Sequence, residues 1–356
     1  MVKPLIERKR PAYAGLFFLM TCIPVECCGL IGATLDKAER SMEEWSRFWR
    51  QGHTTTFGDY FSNGYAGPVK DWLDGMTAAL LKDRDSLNVV ELCCGNGSLL
   101  PFLLSLNLPF DYLGFDAASV ELPDVLQGPV SQAKGHIALV GNTPVEDLPD
   151  TAQNISTCLS IYGMEYSDLN KTLAGVLPRM IPDGQLFALL HHHDSVVARM
   201  SARAVSEYDE KDIAAIREAL TTINDTFLKL GNVEALKADA DAEAARKFVN
   251  GMGNKYVRGA TLETGNAFMA DHVLAALRFF KLLGQKHEVR THFIAELENE
   301  ASAARVRHQQ MLSVASTSAD MEDLADQMRT MGWRDAQYAE LVHKGDIIGW
   351  SLTASA

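Results

Sequence analysis

The sequence lacks a basic excess. Its 356 residues carry 33 Lys and Arg against 46 Asp and Glu, a formal net charge of -13. Nucleic-acid binders draw much of their affinity from phosphate contacts made by a basic face, so this balance argues against such a partner. Metal and disulfide spacing is missing too. The six cysteines include the adjacent pairs Cys27-Cys28 and Cys93-Cys94, with no C-x-x-C. That gives neither a zinc pattern nor a disulfide framework, and points to a reducing compartment. No apolar run reaches the roughly 20 residues of a spanning helix, so the chain is expected in the cytoplasm. Proline is absent from 196–315, which removes the strongest helix breaker from that stretch. Apolar residues make up 47%, enough for packed cores, and the length suits two units or one domain with a large insertion.

The N-terminus is basic and then apolar, with Lys3, Arg8, Lys9 and Arg10 ahead of an uncharged run from Pro11 to Val25. It resembles a secretory signal, but Glu7 interrupts the basic part and no A-x-A cleavage site follows. Residues 1–41 are therefore expected to be a leader outside the fold.

A helix is expected over 42–51, with Trp45, Phe48 and Trp49 on one face at i, i+3, i+4 spacing. Such a stripe reads as core rather than site. A loop follows, containing His53 and Tyr65, and then a helix over 68–82. Strands are expected at 88–92, 112–115, 137–140, 156–161 and 185–190. Helices are expected at 98–106 and 169–180, and Pro182-Asp183-Gly184 reads as a turn. Strands alternating with helices predict a parallel sheet covered on both faces. From 196 to 315 nearly everything is helix-compatible. A helix at 321–331 and strands at 338–342 and 347–352 then restore the alternation. The chain thus divides into an α/β domain, 42–195 and 316–356, and a helical insertion, 196–315.

The strongest local signal is Val89-Val90-Glu91-Leu92-Cys93-Cys94-Gly95-Asn96-Gly97-Ser98. A strand runs into a turn with glycines at alternate positions, where a backbone can approach a ligand closely. Leu100 stands where a nicotinamide fingerprint would have its third glycine. The Glu91 carboxylate disfavours a pyrophosphate and suits a cationic ligand carrying an amine. Asp116, ending the next apolar strand, lies where an acidic side chain accepts bonds from ribose hydroxyls. Cys93 and Cys94 read as small packing residues, because a reactive thiol needs an electropositive setting.

Glu91-Leu92-Cys93-Cys94-Gly95-Asn96-Gly97 resembles motif I of class I S-adenosylmethionine-dependent methyltransferases, of the type 11 kind. Asp116 matches that family's ribose-binding acid. Gly141-Asn142-Thr143-Pro144-Val145-Glu146-Asp147-Leu148-Pro149 resembles its adenine loop, with Asn142 where Asp is frequent. Ser160-Ile161-Tyr162-Gly163-Met164-Glu165-Tyr166 resembles motif IV. Arg179-Met180-Ile181-Pro182-Asp183-Gly184-Gln185 resembles the helix-to-strand turn before strand five, and Met331-Gly332-Trp333 the start of the closing hairpin. Cys93 replaces a usual glycine, and Asp183-Gly184-Gln185 lacks the second glycine.

The resemblance implies an α/β, Rossmann-like, doubly wound seven-stranded sheet, mostly parallel, with the last pair antiparallel. It implies methyl transfer from S-adenosyl-L-methionine, with no metal. Cofactor contacts are expected from Glu91, Cys93, Gly95, Asn96, Gly97, Asp116, Asn142, Thr143, Ser160 and Tyr65. The acceptor side is expected near Tyr162 and Glu165 and near His191, His192 and His193, which follow strand five. Strand alternation would point His191 and His193 one way and His192 the other. One of them would serve as base or bind the acceptor. Three histidines without an accompanying carboxylate or thiolate pattern do not read as a metal site. The acceptor is expected to be a small molecule, and the insertion to act as a lid or a homodimer interface. Two other readings use the same pocket: a non-catalytic binding module, and an aminopropyl-type transferase.

Overall fold

The computed structural model describes residues 37–57, 64–82, 84–258 and 265–356, with side chains from Met42 onward. The expected leader falls outside these residues up to position 36. The first helix, α1 (Lys37–Trp49), begins before the expected Met42.

Two compact units are present. Among the described residues the larger comprises 37–56, 64–206 and 303–356 and carries the sheet. Its strands are β1 (Leu87–Leu92), β2 (Phe110–Phe115), β3 (Ile137–Val140), β4 (Ile155–Ile161), β5 (Met180–Leu190), β6 (Arg334–His343) and β7 (Asp346–Ser355). Among them run α2 (Pro68–Leu80), α3 (Leu100–Ser105), α4 (Asp124–Ser131), α5 (Leu169–Val176), α6 (Val196–Glu207) and α12 (Ser318–Met331). The spatial order is β3-β2-β1-β4-β5-β7-β6. The first five strands are parallel, and β7 pairs antiparallel with both β5 and β6. This is the doubly wound, Rossmann-like sheet with an antiparallel closing hairpin.

The burial pattern follows from that order. Every residue of the central strand β4 is buried, as parallel strands covered on both faces require. Edge strand β6 exposes most of its side chains. The core gathers Val90, Leu92, Ile155, Leu186, Met321 and Leu352, among others, from β1, β4, β5, α12 and β7. The order reverses between β1 and β4. A crevice therefore opens beyond their carboxyl ends, where ligands of such sheets bind.

One expected turn belongs to a strand. β5 starts at Met180 opposite Ile155, and its register then shifts so that Gln185 faces Thr157. Pro182-Asp183-Gly184 forms that irregularity. Asp183 has φ 62°, and its carbonyl accepts a bond from Arg84 at 2.8 Å while its carboxylate accepts one from Arg334 at 2.8 Å.

The other unit comprises 207–302 with Phe57. Its helices are α7 (Glu210–Leu230), α8 (Val233–Ala238), α9 (Ala240–Met252), α10 (Ala267–Leu277) and α11 (His287–Val314), the last counted here up to Ser302. Side-chain caps start four of them: Asp209, Asn232, Asp239 and Asn266 each accept a backbone N–H of the first turn. Such caps satisfy amides that the helix leaves unpaired. Ile216, Leu220, Val273 and Phe279 lie at its centre, almost fully buried. Among the described residues no helix is long and apolar enough to cross a membrane.

Leu352 is fully buried and pairs with Ala188 on one side and Tyr338 on the other. Leu352→Ala is expected to destabilise the sheet unit by about 2–5 kcal/mol, the range for emptying a packed site. Thermal unfolding followed by near-ultraviolet circular dichroism reads this; an unchanged transition would mean the hairpin does not share the core.

Candidate cofactor and acceptor site

The site is built at the turn after β1. Cys93 takes φ 54°, Gly95 φ 51° and Gly97 φ 86°, so three left-handed residues fold the chain back on itself. The Cys94 N–H donates to the Phe115 carbonyl at 3.0 Å, joining the turn to the end of β2. Asp116, the next residue, accepts the Gly95 N–H on Oδ2 and the Ala118 N–H on Oδ1, each at 2.8 Å. Each carboxylate oxygen keeps a further lone pair. Desolvation raises the Asp116 carboxyl to about 6, opposed by those two backbone donors.

A cavity of about 290 Å³ lies over this turn, near the lower end of ligand-pocket sizes. Asp116 and Ala117 line it from the end of β2, Cys93 from the turn, and Pro144, Val145 and Glu146 from the loop after β3. Tyr162, Gly163, Tyr166 and Ser167 line it beyond β4, and Met42, Trp45 and Trp49 cover it from α1. A depression of about 340 Å³ on α12 is lined by Asp323, Asp326, Gln327, Thr330 and Met331. These are mostly exposed side chains with no buried polar group among them, so no site is placed there.

The α1 aromatics divide. Phe48 is core at 1% exposure, whereas Trp45 and Trp49 face the cavity. A Cβ on Gly95 would overlap the Trp49 indole, so glycine is needed there for the ring to seat. Helical spacing told that the stripe buries, not that a cavity lies beneath it. α1 is held firmly. The Asn96 amide donates to the Trp49 carbonyl at 2.8 Å and the His53 carbonyl at 2.9 Å, and its oxygen accepts the Glu121 N–H at 2.9 Å. Arg307 donates to the Glu44 carbonyl at 2.9 Å and lies over the Phe48 ring, and Trp45 Nε1 donates to Gln310 at 2.9 Å.

Other expected contacts sit behind the cavity wall. Glu91 is buried at 1% exposure; it accepts Ser98 Oγ–H at 3.0 Å and Tyr112 Oη–H at 2.5 Å. Desolvation raises it to about 8 against those two donors. The buried Tyr65 hydroxyl bonds Ser98, and burial pushes its pKa up. Ser160 donates to the Leu92 carbonyl at 2.9 Å and accepts the Met164 N–H at 3.0 Å, tying β1 to the loop after β4. Gly97 packs against Leu100. Asn142 is exposed with φ 54°, and the Thr143 N–H donates to the Asp116 carbonyl at 2.9 Å.

β5 ends at Leu190; His191 and His192 still face opposite ways, as expected, but His193 departs from the alternation. His191 lies parallel to the Tyr162 ring at 4.6 Å, with Nε2 3.5 Å from Tyr166 Oη. Its N–H donates to Glu165 Oε1 at 2.8 Å. Burial alone lowers His191 to about 3, and burial raises Glu165 to about 7. His191 Nδ1 and Glu165 Oε2 are buried without a hydrogen-bond partner among the described residues. His192 turns the other way, onto Trp350 at 4.4 Å, and Nδ1 accepts the Asp194 N–H at 2.9 Å. The His193 ring stacks on His192 at 4.9 Å rather than joining His191, and its Nε2 meets Asp194 at 3.0 Å. No group of three potential metal ligands occurs among the described residues.

The arrangement fits a nucleoside with a cationic side chain. A buried carboxylate offers lone pairs at a strand end, a left-handed turn faces it, and aromatic rings close the space above. No protein-family model matches the sequence. No curated protein matches it. The solved structures it resembles include an S-adenosylmethionine-dependent methyltransferase from Clostridium acetobutylicum, at 16% identity and TM-score 0.26, over 35% of this chain and 51% of that one. The CMeT domain of the citrinin polyketide synthase is similar at 10% identity and TM-score 0.35, over 76% and 46%. The methyltransferase domain of bacterial CtHen1-CN is similar at 10% identity and TM-score 0.39, over 82% of this chain and 100% of that one. The chain spans about half the length of the first two. The fold assignment rests on the strand order and directions of the sheet itself.

Glu91 gives a signed pH dependence. Its carboxyl, like that of Asp116, titrates higher in the fold than in the unfolded chain. The native state then holds protons that the unfolded state releases, so this contribution is full below about pH 4 and lost as pH rises through 6 to 8. Glu91→Gln is expected to gain on the wild type by up to a few kcal/mol between about pH 5 and about pH 9. Urea unfolding at the two pH values reads the difference, and parallel shifts would mean Glu91 is charged throughout.

Proposed function

We propose that this chain is an S-adenosylmethionine-dependent methyltransferase acting on a small-molecule acceptor in the cytoplasm. The observation that carries the reading is Asp116: a buried carboxylate at the carboxyl end of β2, facing a cavity at the point where the strand order reverses. Asp116 would hold the ribose hydroxyls, while Ala117 and the loop Pro144–Glu146 border the base. Cys93 and Gly163 would border the sulfur-bearing end. When bound, the cofactor would supply a sulfonium methyl group, open to in-line attack at carbon by a nucleophile with the thioether sulfur as the leaving group.

The chain's own part is positioning and exclusion of water. Effective molarities of well-oriented reactants account for up to roughly 7–11 kcal/mol of a barrier. Trp45 and Trp49 close the cavity from α1, and closure of this kind strengthens the electrostatics inside. We place the acceptor against Tyr162 and Tyr166. Burial keeps the His191 imidazole neutral, with Nε2 3.5 Å from Tyr166 Oη. Of the three histidines, His191 is the one we assign to the acceptor side. His192 braces Trp350, and His193 is half exposed.

Calorimetric titration of S-adenosylmethionine into the whole chain tests the cofactor assignment. Micromolar binding is expected, weakened about tenfold or more in Asp116→Ala and by less in Asp116→Asn, which keeps one acceptor oxygen. Circular dichroism of each variant separates lost binding from lost folding. Absence of binding by the folded wild type would overturn the reading.

A further inference from the structure

Four aromatic rings line the cavity together, Trp45 and Trp49 from α1 and Tyr162 and Tyr166 from beyond β4. They are fixed in relation to one another. Trp45 and Trp49 lie near-parallel with centroids 6.4 Å apart, and Tyr166 meets Trp45 edge-on at 5.6 Å. Their polar ends are engaged inside the protein. Trp45 Nε1 donates to Gln310 at 2.9 Å, Tyr162 Oη donates to the Ile348 carbonyl at 3.0 Å, and Tyr166 Oη lies 3.5 Å from His191 Nε2. Burial raises both phenols, so neither ring carries a charge. What these three side chains leave for a ligand is ring carbon. The charge of the wall is one-sided. Its carboxyl side chains are Asp116 and Glu146, and no lysine, arginine or histidine among the described residues lines it. A ligand bearing a phosphate or carboxylate would give up hydration there and meet no counter-charge, which is costly. A flat ring gains from burial of its area, and each edge or face contact with another ring adds roughly two- to tenfold in affinity.

We propose that the acceptor of this chain is a flat aromatic molecule without phosphate or carboxylate, held against Trp45, Tyr162 and Tyr166. The inference rests on the methyltransferase reading above and names the class of its acceptor. That reading gives Asp116, Ala117 and the loop Pro144–Glu146 to the nucleoside, and Cys93 and Gly163 to the sulfur-bearing end. The ring wall is the part of the lining that this leaves for a second ligand. The class leaves out nucleotides, nucleic acids and any substrate whose phosphate must enter the pocket. It also leaves out puckered apolar molecules, which bury area against the rings but cannot make the edge and face contacts of a flat one.

Calorimetric titration of the whole chain, with S-adenosylhomocysteine held at saturation, tests this with ligands of similar size. Naphthol is flat and neutral, decahydronaphthol is puckered and neutral, and naphthoate and naphthyl phosphate are flat and anionic. Naphthol is expected to bind about threefold or more tighter than decahydronaphthol, and about tenfold or more tighter than either anion. Tyr166→Leu removes one ring and keeps apolar bulk. It is expected to weaken naphthol about threefold or more, while binding of S-adenosylhomocysteine reports that the pocket has formed. Anions or decahydronaphthol binding as tightly as naphthol, an unchanged naphthol affinity in Tyr166→Leu, or no binding of naphthol at all would each overturn the aromatic acceptor and leave the cofactor reading standing. So would naphthol that binds the ligand-free chain but not the saturated one, since the ring wall would then belong to the nucleoside. Failure of the folded protein to bind S-adenosylhomocysteine would overturn both.

Discussion

The hydrogen bond from the Gly95 N–H to Asp116 Oδ2, 2.8 Å long, is the contact on which the rest of the site depends. It closes the end of β1 onto the end of β2, so that the left-handed turn and the strand-end carboxylate become one rigid corner. The second oxygen takes the Ala118 N–H, which prevents the carboxylate from rotating. A buried acid that has given up its water is stable only with such donors, and here both are backbone amides fixed by the strands. Parallel pairing of β1 with β2 sets the position of Asp116, and pairing of β1 with β4 brings Ser160 to the same corner from the other side.

From that corner the wall above follows. Gly95 has no side chain, so an aromatic ring can rest on it. α1 delivers Trp49 there because Asn96, the residue after Gly95, holds the Trp49 and His53 carbonyls. The helix that covers the cavity is thereby anchored to the loop beneath it. The same residue that shapes the turn also fixes the cover, and the two are expected to move together or not at all.

The corner was legible in the sequence because glycine and a strand-end acid have few other uses in such a place. The strands were legible because buried parallel strands carry short apolar runs, as Val89-Val90 in β1 and Ile137–Val140 in β3 do. What was less legible is which polar side chains face inward to the protein rather than to the cavity. Glu91, Asn96 and Ser160 share the spacing of ligand contacts. Their hydrogen-bonding atoms nonetheless meet Tyr112 and Ser98, the Trp49 and His53 carbonyls, and the Leu92 carbonyl. A linear pattern records that a polar group is near the turn and says nothing of where its lone pairs are used. The cavity role of Trp45 and Trp49 was hidden for the converse reason, since a helical stripe buries equally well against a core or over a pocket.

The histidine run shows how the end of a strand redistributes chemistry. Had β5 continued, His191 and His193 would share a face. Instead the His193 N–H donates to the Ser316 carbonyl and the Ser316 N–H to the His191 carbonyl, at 3.1 and 2.9 Å. That bridge holds the chain beside Ser316, and the His192 ring lies against Trp350 of the closing hairpin. His191 alone remains behind the cavity, between Tyr162 and Tyr166. A neutral imidazole with one buried nitrogen unpartnered, beside a carboxyl whose second oxygen is also unpartnered, is an arrangement with unsatisfied polar capacity. Burial makes such capacity costly to the fold, and proteins keep it where it meets something else. Its place directly behind two cavity-lining phenols is why we propose this one histidine for the acceptor side.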